Sequence, residues 1–145
     1  MVKSILLIED NPSDAKLTLR ALQKSGVVNP IIHLMDGGAA LEYFESLAAP
    51  ESRLPALILL DLNLPKIPGL NLLEHLKSNE LLRVVPVVVL TSSKEDEDIA
   101  KSYYFGANSY IRKPVGFDSF ANVALQLGIY WLMLNELPSD LSGTK

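Results

Sequence analysis

Leu57-Ile58-Leu59-Leu60-Asp61, followed by Leu62-Asn63-Leu64-Pro65-Lys66-Ile67-Pro68-Gly69, is the stretch that decides the fold. Four consecutive apolar residues carry no polar alternation, so neither face of this strand expects water. That is the pattern of a central strand in a parallel sheet. The run ends on a carboxylate, and a loop containing Pro and Gly follows. In open α/β sheets the carboxyl edge of the strands is where ligands and chemistry sit. Asp61 is therefore the first candidate for a reacting group, and the other strands are expected to bring their ends to it.

The composition sets limits around that strand. A chain of 145 residues suits a single domain over residues 1–145 with a sizeable core. Apolar residues make up 48% of it and mean hydropathy is +0.21. The longest apolar run, Val84–Leu90, is too short to span a bilayer and contains Pro86. Met1-Val2-Lys3 leads straight into the first strand, which predicts no signal peptide. There is no cysteine, so disulfides and thiolate metal sites are excluded. These features fit a cytoplasmic protein. A net charge of −4 and a pI of about 5.1 argue against nonspecific nucleic-acid binding.

Five apolar runs alternate with five helical patterns. Ser4–Ile8 ends on Glu9-Asp10, and Asn11-Pro12-Ser13-Asp14 reads as a cap, a Pro at the first helical position and an acid in the first turn. Leu17, Ala21 and Leu22 form that helix's apolar stripe, and Gly26 stops it. Ile31–Met35 is the second strand, followed by a helix on Ala40, Leu41, Phe44 and Leu47. After Leu57–Leu60 a helix runs from about Leu70 to Lys77. Pro86–Leu90 ends on Thr91, and Lys94–Phe105 reads as a helix with an acidic start. Asn108–Ile111 leads into Arg112-Lys113-Pro114, and a last helix runs from about Asp118 to Leu134. Strict alternation predicts a doubly wound parallel sheet, covered on both faces through right-handed crossovers.

Strand ends carrying Glu9/Asp10, Asp61, Thr91 and Lys113 converge on one edge of such a sheet. Carboxylates a few ångströms apart repel by roughly 4 kcal/mol per pair at an effective dielectric of about 20. A hard divalent cation offsets that, and Mg²⁺ is commonly held by one or two carboxylates plus phosphate oxygens. A lysine adds charge for an incoming phosphoryl group, and a threonine hydroxyl can hydrogen-bond the product. The inventory suits phosphoryl transfer to a carboxylate.

Taken together, Glu9-Asp10, Asp61, Thr91 and Lys113-Pro114 resemble the receiver domain of two-component response regulators, from Lys3 to about Leu134. The resemblance implies strand order 2-1-3-4-5. It implies a signalling protein rather than an enzyme, with Asp61 accepting a phosphoryl group from a histidine kinase. It further implies Mg²⁺ bound by Asp61, by Asp10 directly, by Glu9 through water and by the backbone carbonyl of Asn63. Thr91 and Tyr110 are then the switching pair, Lys113 is the phosphate partner, and the Lys113–Pro114 peptide is expected to be cis. Glu9 stands where many members have Asp. The start Glu9–Asp14, the long loop Ala49–Pro55 and the ending Tyr130-Trp131-Leu132 resemble the single-domain regulators that partner bacterial phytochromes.

Two other classes share parts of this pattern. A haloacid-dehalogenase-like phosphatase uses an Asp nucleophile with Mg²⁺, but wants a second acid where Asn63 stands. A flavodoxin-like cofactor binder wants a phosphate loop where Glu9-Asp10 stand. His33 and His75 sit in different segments without ligand spacing, so the phosphodonor histidine is expected on another protein. Tyr103, Tyr104 and Phe105 cannot all face one core, since helical neighbours stand about 100° apart. The last helix carries two apolar stripes, one with Phe120 and Trp131, and Ile129–Leu134 is apolar all round. By resemblance, the face of the fourth helix, fifth strand and fifth helix mediates homodimers, with Tyr103, Tyr104, Phe105, Phe120 and Trp131 as its aromatics. The alternative is a tail that folds back over the second stripe. Asn135–Lys145 reads as a flexible tail, too short for an effector domain. Output is then expected through a partner or through dimerisation, not through direct DNA or membrane binding.

Overall fold

Leu57–Leu60 forms the middle strand of a five-stranded parallel sheet in the computed structural model, which describes residues 3–136. The strands are β1 (Ile5–Ile8), β2 (Ile31–Leu34), β3 (Leu57–Leu60), β4 (Val87–Thr91) and β5 (Ser109–Arg112). The helices are α1 (Pro12–Lys24), α2 (Gly37–Ser46), α3 (Gly69–Ser78), α4 (Asp96–Tyr104) and α5 (Phe117–Ile129). The order is β2-β1-β3-β4-β5, as the resemblance implies, and all pairs are parallel, as the alternation predicts.

Both faces of the inner strands are apolar because both are covered. Leu6, Ile8, Ile58, Leu60, Val87 and Val89 pack with Phe44, Leu72, Leu73 and Leu76 on the side of α2 and α3. Their sequence neighbours Ile5, Leu7, Leu57, Leu59, Val88 and Leu90 pack with Ala15, Leu22, Phe120 and Leu127 on the side of α1 and α5. Period-two alternation thus divides each strand between two cores rather than between core and water.

The register aligns the strand ends. Ile8 pairs with Leu60, so Glu9 and Asp61 follow at the same level. The Asp61 N–H donates to Ile8 O at 3.0 Å, which carries the ladder one residue past β3. Helix α1 starts where the sequence signals it: the Asn11 side chain accepts from the N–H groups of Ser13 and Asp14, and Pro12 takes the first position. It ends at Lys24, ahead of Gly26 at φ +89.

Gly69 opens α3 against the backbone of the acidic strand end. A Cβ there would lie 2.4 Å from Asp61 O and 2.5 Å from Leu62 Cα. Only backbone is in the way, so no side chain can swing aside. Gly69→Ala is expected to destabilise by about 1–3 kcal/mol, the range for overpacking a tight core. Urea denaturation reads this directly, and an unchanged midpoint would show that the Asp61–Leu62 backbone can yield.

Three expectations need correction. Phe120 is 5% exposed and packs against the sheet, so it is not an interface residue. With Ala124 and Leu127 it forms the inward stripe of α5 at spacings of four and three. The last helix is also not α-helical to Leu134. It changes at Tyr130–Leu134 to a π-helical turn, in which the Asn135 N–H reaches Tyr130 O at 2.6 Å. Trp131 and Leu132, adjacent in sequence, both pack partly against the α1 side of the core. Finally, no peptide bond among the described residues is cis, Lys113–Pro114 included. The two X–Pro isomers differ by only about 0.5–1 kcal/mol. Lys113 is already fixed by extending β5, its N–H donating to Thr91 O at 2.7 Å. The tail expected over Asn135–Lys145 lies, from residue 137 on, outside the described residues.

Candidate functional site

The aligned strand ends assemble a charged cluster over the C-terminal edge of β1 and β3. Glu9, Asp10 and Asp61 each offer an oxygen, and these oxygens lie within 4.8 Å of one another. Glu9 and Asp61 are buried, and Asp10 is the more open of the three. Three carboxylates with hard oxygen donors, two of them shielded from water, suit a hard divalent cation. The donor set therefore fits the metal that the sequence pattern implies.

Lys113 supplies the positive charge in the protein alone. Its Nζ lies 2.6 Å from Glu9 Oε1, 2.9 Å from Asp61 Oδ2 and 2.9 Å from Asp14 Oδ2. The lysine side chain is only 6% exposed. Burial alone would lower its pKa, but the bonds to Glu9, Asp14 and Asp61 outweigh burial and hold it well above the usual lysine range. It stays charged at any physiological pH.

Asp61 is the best-satisfied carboxylate. Its Oδ1 accepts from the Thr91 hydroxyl at 2.7 Å and from the Asn63 N–H at 3.1 Å. Burial raises the Asp61 pKa, but hydrogen bonds from Thr91, Glu9 and Lys113 together bring it below the usual value. Glu9 goes the other way. Burial pushes it up to about 7, with help from the Asp61 charge and against the pull of Lys113. Asp61 is thus ionised at neutral pH, and Glu9 is the member that titrates near it. A divalent cation held there would favour the charged form of Glu9.

The remaining residues lie around this cluster. Thr91 is fully buried at the end of β4. Tyr110 is not part of the carboxylate group; its hydroxyl donates to Ser93 O at 2.9 Å, two residues beyond Thr91. Asn63 meets Asp61 through its backbone N–H, and its side chain is exposed. Two neighbours were not singled out from the sequence. Asp14, read only as a first-turn acid, is the third partner of Lys113. His33 places Nε2 2.7 Å from Glu9 O. His75 stacks on Phe44, far in sequence from the acids.

A carboxylate at the end of the central strand, with a threonine, a lysine and two further acids in contact range, matches one known family over most of the chain. Residues 5–124 match the response regulator receiver domain. The chain belongs to that family. This receiver is 41% identical over 134 residues to the probable methanogenesis regulatory protein FilR2 of Methanothrix harundinacea, covering 92% of this chain and 86% of that one. It is 37% identical over 138 residues to the response regulator Rcp1 of Synechocystis, covering 94% of each. Among solved structures, the Mn²⁺-bound form of Rcp1 superposes with a TM-score of 0.88 at 36% identity, over 94% of this chain and 99% of that one. The phosphorylated cyanobacterial phytochrome response regulator RcpA gives 0.88 at 37% identity, over 96% and 100%. The bacteriophytochrome response regulator RtBRR gives 0.72 at 46% identity, over 99% and 88%. The receiver is a signalling protein of two-component systems, and the dehalogenase-like and flavodoxin-like readings find no support. No helix among the described residues is long and apolar enough to cross a membrane.

Proposed function

We propose that this receiver takes a phosphoryl group on Asp61 from a phosphohistidine of a sensor kinase. The observation that carries the reading is the Asp61 carboxylate itself, ionised and held between the Thr91 hydroxyl and the Lys113 ammonium. A carboxylate oxygen of Asp61 attacks phosphorus, and an O–P bond forms as the P–N bond breaks. The electron pair stays on the departing imidazole, which takes up a proton. Lys113 balances charge on the phosphoryl oxygens, and Thr91 is placed to hydrogen-bond one of them. Asp10, Asp61, the Asn63 carbonyl and Glu9, the last through water, would hold Mg²⁺. Bound there, the ion supplies charge neutralisation between the acids and the transferring group. The reaction is a single acceptance rather than turnover on a released substrate.

Likeness to RcpA and RtBRR supports a phytochrome as the kinase. The acidic net charge supports a cytoplasmic switch that acts on proteins rather than on nucleic acid. Intact-mass analysis after incubation with Mg²⁺ and a small acyl phosphate is expected to show one added phosphoryl group, absent when the metal is chelated. Folded, Mg²⁺-binding protein without that increment would overturn the reading.

The route outward runs along the loop after β4. Thr91 bonds Asp61 and, two residues on, Ser93 O holds the Tyr110 hydroxyl. Movement of Thr91 toward a phosphoryl group would bias Tyr110, and with it the surface of α4 and β5. Tyr103 and Tyr104 lie there, 51% and 85% exposed, while Phe105 packs partly into the core. On α5 and the turn after it, Ile129, Tyr130, Met133 and Leu134 are exposed, and Trp131 is half-buried. This apolar surface supports a homodimer through α4, β5 and α5. Sedimentation is expected to show dimers at micromolar concentration; a clean monomer with and without phosphorylation would remove that proposal.

A further inference from the structure

Lys113 has three N–H donors, and three different carboxylates take them. Two of those carboxylates, Glu9 and Asp61, belong to the group whose oxygens converge within 4.8 Å. Asp14 does not. It stands at the third position of α1, and the helix end locks it. Its N–H donates to Asn11 Oδ1 at 3.1 Å, and its carbonyl accepts from the buried Thr18 hydroxyl at 2.8 Å. Its side chain is 26% exposed, less shielded than Glu9 or Asp61.

This asymmetry matters once a cation enters. A metal ligated by Asp61, with Glu9 turned to one of its waters, would draw both carboxylates away from the ammonium. Without a third, the lysine would have to leave the site or compete with the metal for the same oxygens. We infer that Asp14 is the positioning residue of Lys113: it keeps the ammonium beside Asp61 after the metal has claimed the other two carboxylates. The inference rests on the proposed metal reading of the site. Asp14 neither touches the incoming phosphoryl group nor ligates the ion; it acts through the lysine.

Two measurements test this, one of them independent of metal. In nitrogen-edited NMR of the metal-free protein, the Lys113 ammonium is expected to give a resolved, exchange-protected signal. In metal-free Asp14→Ala and Asp14→Asn, where Glu9 and Asp61 still hold the ammonium, that signal is expected to exchange faster with water, and under saturating Mg²⁺ it is expected to survive in the wild type only. A Lys113 signal unchanged in both variants overturns the inference, whether or not the protein binds Mg²⁺. Absence of Mg²⁺ binding by the wild type instead overturns the metal reading and leaves the metal-free comparison to judge Asp14.

The second measurement is a double-mutant cycle on Mg²⁺ affinity. Asp14→Asn is expected to weaken Mg²⁺ binding, because the released ammonium falls back on Glu9 and Asp61. In a Lys113→Met background most of that loss is expected to disappear, a coupling of about fivefold or more. Equal losses in both backgrounds would mean that Asp14 acts as a distant charge and not through the lysine.

Discussion

Asp61→Asn is expected to abolish phosphoryl acceptance while leaving the fold intact. The amide carries no negative charge and is a poor nucleophile, so the attacking oxygen is lost outright. The surroundings, however, tolerate the swap. Asn fills the same volume, and its carbonyl oxygen can still accept from Thr91 Oγ1, now 2.7 Å from Asp61 Oδ1. Lys113 loses one anionic partner but keeps Glu9 and Asp14. Removing one of several crowded carboxylates also relieves repulsion with Glu9, whose pKa the Asp61 charge helps to raise. Intact mass beside a circular-dichroism melt separates the two effects. No phosphoryl increment with an unchanged or higher melting temperature is the expected pair. A full increment in the variant would move the acceptor to another carboxylate, with Asp10, the more open one, next in line.

How much of this was legible beforehand depends on what each residue answers to. Leu57–Leu60 was readable because a strand buried on both faces leaves a pattern that solvent-facing strands lack. The same logic located Glu9, Asp61 and Thr91, since each is the first polar residue after such a run; parallel register puts Glu9 level with Asp61 and Thr91 one residue beyond it. Asp14 escaped because its role depends on packing. An acid in the first turn of a helix has a sufficient local explanation in the dipole. Nothing in the sequence shows that β5 delivers Lys113 to it from 99 residues away. Phe120 was misassigned for a related reason. Two apolar stripes on one helix say that one is spare but not which, and the choice is made by how α5 lies on α1 and the sheet. The π turn at Tyr130–Leu134 has no signal in an all-apolar run, where every rotation buries something.

Lys113→Met is expected to destabilise the metal-free protein by about 3 kcal/mol, the low end for removing one partner from a buried ion pair. The side chains of Lys113, Glu9 and Asp61 are 6%, 2% and 5% exposed, so solvent screens the loss little. The pH dependence follows from Glu9. Its pKa in the fold, about 7, lies above the usual 4.5. Between those values the folded state holds a proton that the unfolded chain has released, so this group's contribution is favourable at low pH and is lost as pH rises through about 7. Without the lysine the Glu9 pKa rises further. The penalty of Lys113→Met is therefore expected to be larger at about pH 8 than at about pH 6. Mg²⁺ is expected to restore the variant more than it stabilises the wild type, because no ammonium has to be displaced from the carboxylates it binds. Urea denaturation at the two pH values, with and without Mg²⁺, reads all three effects. A variant as stable as the wild type near pH 8 without metal would show that the three ion pairs contribute nothing net. If the penalty appears and Mg²⁺ removes it, lysine and metal are alternative counter-charges for one set of acids, and the resting receiver is held together by the group proposed to meet the phosphate.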